Sequence, residues 1–339
     1  MKRTALNLMR SAGLLTPFRI ANRDKALIIT YHRFSERGER SMTSARVFRQ
    51  QLDYLTSHYR IVSLSKLAEH LEGNNDLPPG LAAITIDDGY RDAYEIAFPI
   101  LQLYKAPATL FVVTDFLDRK TWLWTDKLRF LTTQTRATTL ETTINDCSLR
   151  LQLSGRASRL EAATLVNSHL KALPDEAKEE AIKRIASSLR VEIPDLPTRD
   201  YDSVTWEQAR LMDRARVEIG SHTLTHPILT NISDERLRAE LCGSKSRLEA
   251  RLERRVELLC YPNGDYDARV KRAAADAGYR SAVTVEAGMN RHKCDLLALR
   301  RVHTEHDFAR FLQSTSGFEQ VKEKIRYALA KATRERVAT

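Results

Sequence analysis

Asp87 and Asp88 stand together after the apolar run Ile84-Thr85-Ile86, and His222 and His226 stand four residues apart much later in the chain. Carboxylate and imidazole together make a donor set for a divalent metal, and a further carboxylate beside them is placed to handle protons. Successive side chains of a strand face opposite ways, so the two aspartates divide roles most simply where a strand gives way to a loop. Histidines at i and i+4 can reach one ion from one face of a helical turn, and Asp88 would complete a two-His, one-carboxylate set. Asp87 is then free to act as a base. A His-x-x-x-His alone is more often an ordinary polar turn; joined to Asp87-Asp88-Gly89 and to Pro262-Asn263-Gly264-Asp265, it points to a metal site.

The elements that must position these residues follow from hydrophobic patterning. Short β-branched runs predict strands at 26–32, 81–86, 108–113, 216–220, 256–261, 279–285 and 300–303. Helical spacing is expected at 44–57, 64–71, 92–104, 233–254, 267–277, 306–313 and 318–335, with Ser233 and Asp267 placed as N-caps. Strand, helix, strand in repetition implies parallel right-handed crossovers, and hence an α/β fold, a distorted (β/α) barrel. Residues 115–203 break the rhythm with Trp122-Leu123-Trp124, a Thr-rich stretch and helical patterns near 157–172 and 174–190. They predict a mostly helical insertion forming a cap or side wall. Asp87, Asp88, His222, Asn263 and His303 all fall at strand ends, where barrel active sites collect.

Composition sets the bounds. The chain has 339 residues, 42% hydrophobic and 29% charged, which suits one globular catalytic domain. A net charge of +10 favours an anionic partner such as lipid headgroups, although a solvated basic surface is the plainer reading. No nucleic-acid module is recognisable, so no nucleic-acid partner is expected. Cys147, Cys242, Cys260 and Cys294 lack metal or disulfide spacing and suit a reducing compartment. No run is long enough to span a bilayer. A cytoplasmic protein is expected, with peripheral contact to an anionic membrane through a basic amphipathic segment, residues 1–25.

The motif residues resemble those of the polysaccharide deacetylase family, the NodB-homology domains of carbohydrate esterase family 4. Thr85-Ile86-Asp87-Asp88-Gly89 matches its first motif with Ile for Phe, and His222-Thr223-Leu224-Thr225-His226 its second; Cys260-Tyr261-Pro262-Asn263-Gly264 aligns with the third, R-x-P-Y-G. The resemblance covers 26–305, leaving 306–339 as C-terminal helices. It implies a NodB-type (β/α) barrel that binds one divalent ion, zinc or another, through Asp88, His222 and His226. Asp87 would then be the base that activates water against an N-acetyl carbonyl, with Asn263 where the family places an oxyanion-stabilising N–H. The family's arginine that steadies the base falls on Cys260, so another group must do that work; Arg91, Arg300 and Arg301 are candidates. His303 is the late-strand histidine that could return a proton to the leaving amine. His32, in Tyr31-His32, and the aromatic insertion resemble a branch acting on exopolysaccharides. Trp124 would stack on a sugar, and Tyr261 would line the substrate groove. The implied function is N-deacetylation of a glycan or glycolipid in exopolysaccharide or cell-envelope glycan assembly. De-O-acetylation, or a catalytically silent carbohydrate-binding role, are the alternatives.

Overall fold

A computed structural model describes residues 15–319 and 321, apart from 40, 41 and 74. Parallel strands form its centre: β1 (Leu27–Tyr31), β2 (Leu81–Ile86), β3 (Ala108–Val112), β4 (Val217–Ser221), β5 (Leu258–Cys260), β6 (Ser281–Ala287) and β7 (Leu299–His303). Each pairs with the next, and β7 returns to β1 through Val302 and Ile29, closing a seven-stranded ring. Parallel neighbours need a crossover, and helices such as Ala45–His58, Leu64–Glu72, Asp234–Leu252 and Ala268–Asp276 supply it. The expected (β/α) barrel is therefore present.

Strand alternation sorts the side chains into two layers. Ile28, Ala83, Phe111, Cys260, Val283 and Leu299 gather in one buried cluster inside the ring. Leu27, Ile29, Ile84, Leu110 and Ile219 belong to another, shared with Phe48, Leu52 and Leu55 of the surrounding helix. The interior is narrow. A Cβ on Gly220 would lie 2.7 Å from the Phe111 ring, so Phe111 fills the space that residue 220 leaves open. The expected caps form: Ser233 Oγ accepts from Arg236 N, and Asp267 from Val270 N at 2.7 Å.

The insertion differs from expectation. Helices Trp124–Gln134, Arg156–Leu170 and Asp175–Leu189 are present, but the Thr-rich stretch is a β-hairpin, Thr139–Ile144 with Cys147–Gln152. Its two-residue turn has φ 47° at Asn145 and 59° at Asp146, the left-handed pair that a tight hairpin needs. The insertion buries a core of its own, including Leu131, Leu140, Val166 and Ile185. After β7, Asp307 caps helix Phe308–Thr315, so that helix begins two residues later than expected. Most of the basic segment at 1–25, and nearly all of the helix expected over 318–335, lie outside the described residues. Among the described residues no helix is long and apolar enough to cross a membrane.

Candidate active site

Thr85 faces the ring interior, and the same alternation aims Asp87, one residue beyond β2, into the top of the barrel. Its oxygens accept Arg301 Nη1 at 2.7 Å and Nη2 at 2.8 Å, a bidentate pair. Arg301 also donates to Thr284 O at 2.7 Å, Thr30 Oγ1 at 3.0 Å, Thr85 Oγ1 at 3.1 Å and Cys260 Sγ at 3.4 Å. Both charges are out of water: Arg301 is 0% and Asp87 2% exposed. Burial works to raise the pKa of Asp87, but the Arg301 guanidinium, helped by His32 and His222, outweighs it and holds the carboxyl well below the usual range. Of the candidate arginines, Arg301 is thus the partner; Arg91 pairs with Glu95 at 2.6 Å and Arg300 with Glu286 at 3.4 Å.

Asp88 leaves the strand with φ 74°, a left-handed turn that swings its carboxylate away from that of Asp87. Gly89 allows the turn, since a Cβ there would meet Val112 Cγ1 at 3.0 Å. Asp88 Oδ1 lies 3.4 Å from His222 Nε2 and 3.6 Å from His226 Nε2. Ligand atoms about 2.1 Å from one tetrahedral ion stand roughly 3.4 Å apart, so the donor set fits a divalent cation. His222 Nδ1 lies 2.7 Å from Cys260 O, a carbonyl that can only accept, which puts the proton on Nδ1 and the lone pair on Nε2. Burial, joined by His222, pushes His226 down to about 3, so it stands neutral and ready to coordinate. Burial opposes charging His222, yet Cys260 and the aspartates carry its pKa well above 6.5; a proton and a cation compete for its Nε2.

The two histidines do not share a helical turn. Residues 222–226 form an irregular loop with φ 70° at Thr223 and 62° at His226, and the loop rather than helical periodicity brings the rings together, centroids 4.7 Å apart. Glu240, 3% exposed on helix Asp234–Leu252, holds this loop. It accepts from Leu224 N and Thr225 N at 2.9 Å each and from Thr225 Oγ1 at 2.5 Å. Sequence reasoning missed it because a glutamate in a charged helix looks like a solvated one. Tyr90 and Asp126 were missed as well. The Tyr90 hydroxyl donates to Asp126 Oδ2 at 2.6 Å, and the Arg33 guanidinium lies 4.0 Å from the Tyr90 ring centre.

His32 follows β1 at the mouth of the barrel, its side chain 46% exposed and its Nε2 3.6 Å from Asp87 Oδ2. His303 lies two residues beyond Arg301 on β7, facing the same way nearer the mouth; burial first, then Arg301 and His32, lower its pKa. Asn263, φ 56°, sits in the turn Pro262–Gly264 just after β5, and its Nδ2 is buried without a partner among the described residues. Two expectations need correction. Tyr261 is 0% exposed and donates its hydroxyl to Leu297 O at 2.9 Å, so it is a core residue and lines no groove. Trp124 is 5% exposed, packed in the insertion core with Lys178 Nζ 4.7 Å from its ring centre, which leaves no face for a sugar to stack on.

Barrel and site together define a class: a (β/α) barrel with an Asp-His-His donor set beside an arginine-held carboxylate. The chain belongs to the polysaccharide deacetylase family, whose model matches residues 74–282. The match includes Asp87, Asp88, His222, His226 and Asn263; His32, Arg301 and His303 lie outside it. A Bacillus subtilis (strain 168) protein, YxkH, provisionally named a polysaccharide deacetylase, is 29% identical over 99 residues, 29% of this chain and 36% of that one. Poly-beta-1,6-N-acetyl-D-glucosamine N-deacetylase of Escherichia coli (strain K12) is 35% identical over 71 residues, 21% of this chain and 11% of that one. The matches therefore span about a third or less of the length of these curated relatives. The structure of IcaB from Ammonifex degensii shares the fold, with TM-score 0.57 and 20% identity over 87% of this chain and 97% of that one.

Proposed function

We propose that the chain is a divalent-metal-dependent hydrolase that removes N-acetyl groups from sugars of a polysaccharide, oligosaccharide or glycolipid, in exopolysaccharide or cell-envelope glycan assembly. One observation carries the reading: three donor atoms of Asp88, His222 and His226 converge beside a carboxylate that Arg301 fixes in place. The name of the Escherichia coli relative supports the substrate class.

A divalent ion, zinc or another that accepts this nitrogen and oxygen set, supplies when bound a Lewis acid that acidifies water and polarises an acyl oxygen. Asp87 is ionised throughout the neutral range and accepts the proton of the attacking water. As a weak base it depends on that acidification, and as a rigid one it stays aimed because Arg301 grips both of its oxygens. His32 returns a proton to the leaving amine; its Nε2 is 3.6 Å from Asp87 Oδ2, so the proton can pass between them with a short movement. Burial, then the Arg301 and His32 charges, lower the pKa of His303, which disfavours its charged form. The Asn263 turn is assigned the main-chain donor to the acyl oxygen.

A panel of N-acetylated and O-acetylated glycans, with released acetate as the readout, tests the reading. Release from N-acetyl substrates is expected. Release confined to O-acetyl esters would replace the amide assignment, and binding without release would favour a silent carbohydrate-binding protein.

A further inference from the structure

His32 stands at the barrel mouth with nearly half of its side chain exposed, and among the described residues its ring makes no hydrogen bond; its Nε2 is 3.6 Å from Asp87 Oδ2. An exposed side chain changes rotamer readily, so the reach of this ring depends on how firmly its backbone is held. On the N-terminal side the barrel holds it. Tyr31, the last residue of β1, is buried and donates its hydroxyl to Gln51 Oε1 at 2.8 Å, and Gln51 donates in turn to Glu305 O at 2.8 Å.

On the other side one carboxylate does the same work. Asp92, on the segment that follows Asp88, accepts Arg33 Nε at 2.6 Å on one oxygen and Phe34 N at 2.9 Å on the other. Arg33 is buried and extends the hold: its Nη2 donates to Asp200 O at 2.6 Å, and its guanidinium lies 4.0 Å from the Tyr90 ring centre. A plain buried ion pair would need only the guanidinium. Asp92 also takes the main-chain N–H two residues after His32, so it ties the peptide units that follow the histidine to the same segment that carries Asp87 and Asp88. Charge-assisted bonds of this kind are short, strong and directional. We infer that Asp92 is a positioning residue: it fixes the chain behind His32 so that the ring stays at Asp87 rather than swinging into solvent. The inference deepens the proposed function and rests on its reading of His32 as the group that returns a proton to the leaving amine.

Two readouts on the metal-loaded protein test it. The first is the imidazole proton signals of His32, assigned by their loss in His32→Ala, which report where the ring sits whatever its chemical role. Asp92→Asn is expected to shift or broaden them and to leave those of His58 unmoved. The second is acetate release from N-acetylglucosamine oligomers. Asp92→Asn should lower kcat about tenfold or more with KM and metal content unchanged, since a small misplacement of a reacting group costs up to about 100-fold. In a His32→Ala background the same substitution should cost less than about threefold, because its effect runs through the missing ring. A merely structural residue would cost the same in both backgrounds. An unmoved His32 signal in Asp92→Asn would overturn the inference. So would an equal loss of kcat with and without His32, where His32→Ala itself slows release. If Asp92→Asn does not fold, Arg33→Lys, which keeps the charge but cannot reach Asp92 and Asp200 O together, is read in the same way. Undiminished release by His32→Ala, or no release by the wild type, would sink the acid or the deacetylase reading alone, and the ring signal would then decide whether Asp92 places His32.

Discussion

Arg301 holds both oxygens of Asp87, and the same Nη2 lies 3.4 Å from Cys260 Sγ, at the position where the family pattern carries its arginine. The guanidinium that grips the carboxylate comes from β7, and not from the β5 position at which the motif this chain resembles has its arginine. Arg301→Leu would leave Asp87 buried without a counter-charge, which is expected to cost about 3–5 kcal/mol in urea unfolding and most of the activity. Restoring the family arrangement in that background, Cys260→Arg with Arg301→Leu, should recover activity at least about tenfold over Arg301→Leu alone. No recovery, with the double variant folded, would mean that the two positions do not share one role.

Glu240 should govern the metal without touching it. Glu240→Gln weakens the acceptor for two loop N–H groups and one hydroxyl. Metal affinity, measured by competition with a chelating dye, is expected to fall about 10–100-fold, the usual cost of losing support behind a ligand. Unchanged affinity would make the loop self-supporting.

The roles of the two mouth histidines separate by substitution and pH. His32→Ala is expected to lower kcat about 100-fold or more, and His303→Ala less than tenfold, given the usual contribution of a general acid. Were His303 the acid, kcat would fall as pH rises through a value below 6.5, because its pKa is lowered. A limb at that position, present in the parent enzyme and lost in His303→Ala, would reverse the assignment.

Asp126 ties stability to pH. Burial above all, with the Arg33 charge and the Tyr90 hydroxyl opposing, pushes it up from 3.8 to about 6. A carboxyl whose folded pKa is raised contributes stability that is fully present below 3.8 and lost as pH rises through about 6. The difference amounts to roughly 3 kcal/mol at most. Asp126→Asn, which can still accept from Tyr90, should flatten Tm against pH over that window and raise Tm at pH 7. An undiminished slope would show that another group carries the dependence.

Much of this was legible in the residues. The β-branched runs gave the barrel strands, and Asp87-Asp88 at a strand end with the paired histidines pointed to the cluster of donor atoms that the fold brings together. Arg301 was legible in principle: counting alternate residues from the buried Leu299 puts 301 and 303 inward and Arg300 outward. The histidine loop was not, because positive φ at Thr223 and His226 has no marker in residues that are neither Gly nor Asn. Trp124 and Tyr261 misled because an aromatic side chain near a motif looks the same in sequence whether it lines a groove or fills a core. The hairpin at 139–152 hid in a weakly alternating Thr-rich stretch, although Asn145-Asp146 marked its turn.

The central claim is that Asp88, His222 and His226 hold an ion which lets Asp87 drive acyl hydrolysis. Acetate release from N-acetylglucosamine oligomers tests it most directly, measured for metal-loaded wild type, chelated wild type and Asp87→Asn with metal content assayed in each. Release is expected from the metal-loaded wild type alone, with a loss of about 100-fold or more in Asp87→Asn at unchanged metal content. Release that survives chelation, or that persists undiminished in Asp87→Asn, would contradict it.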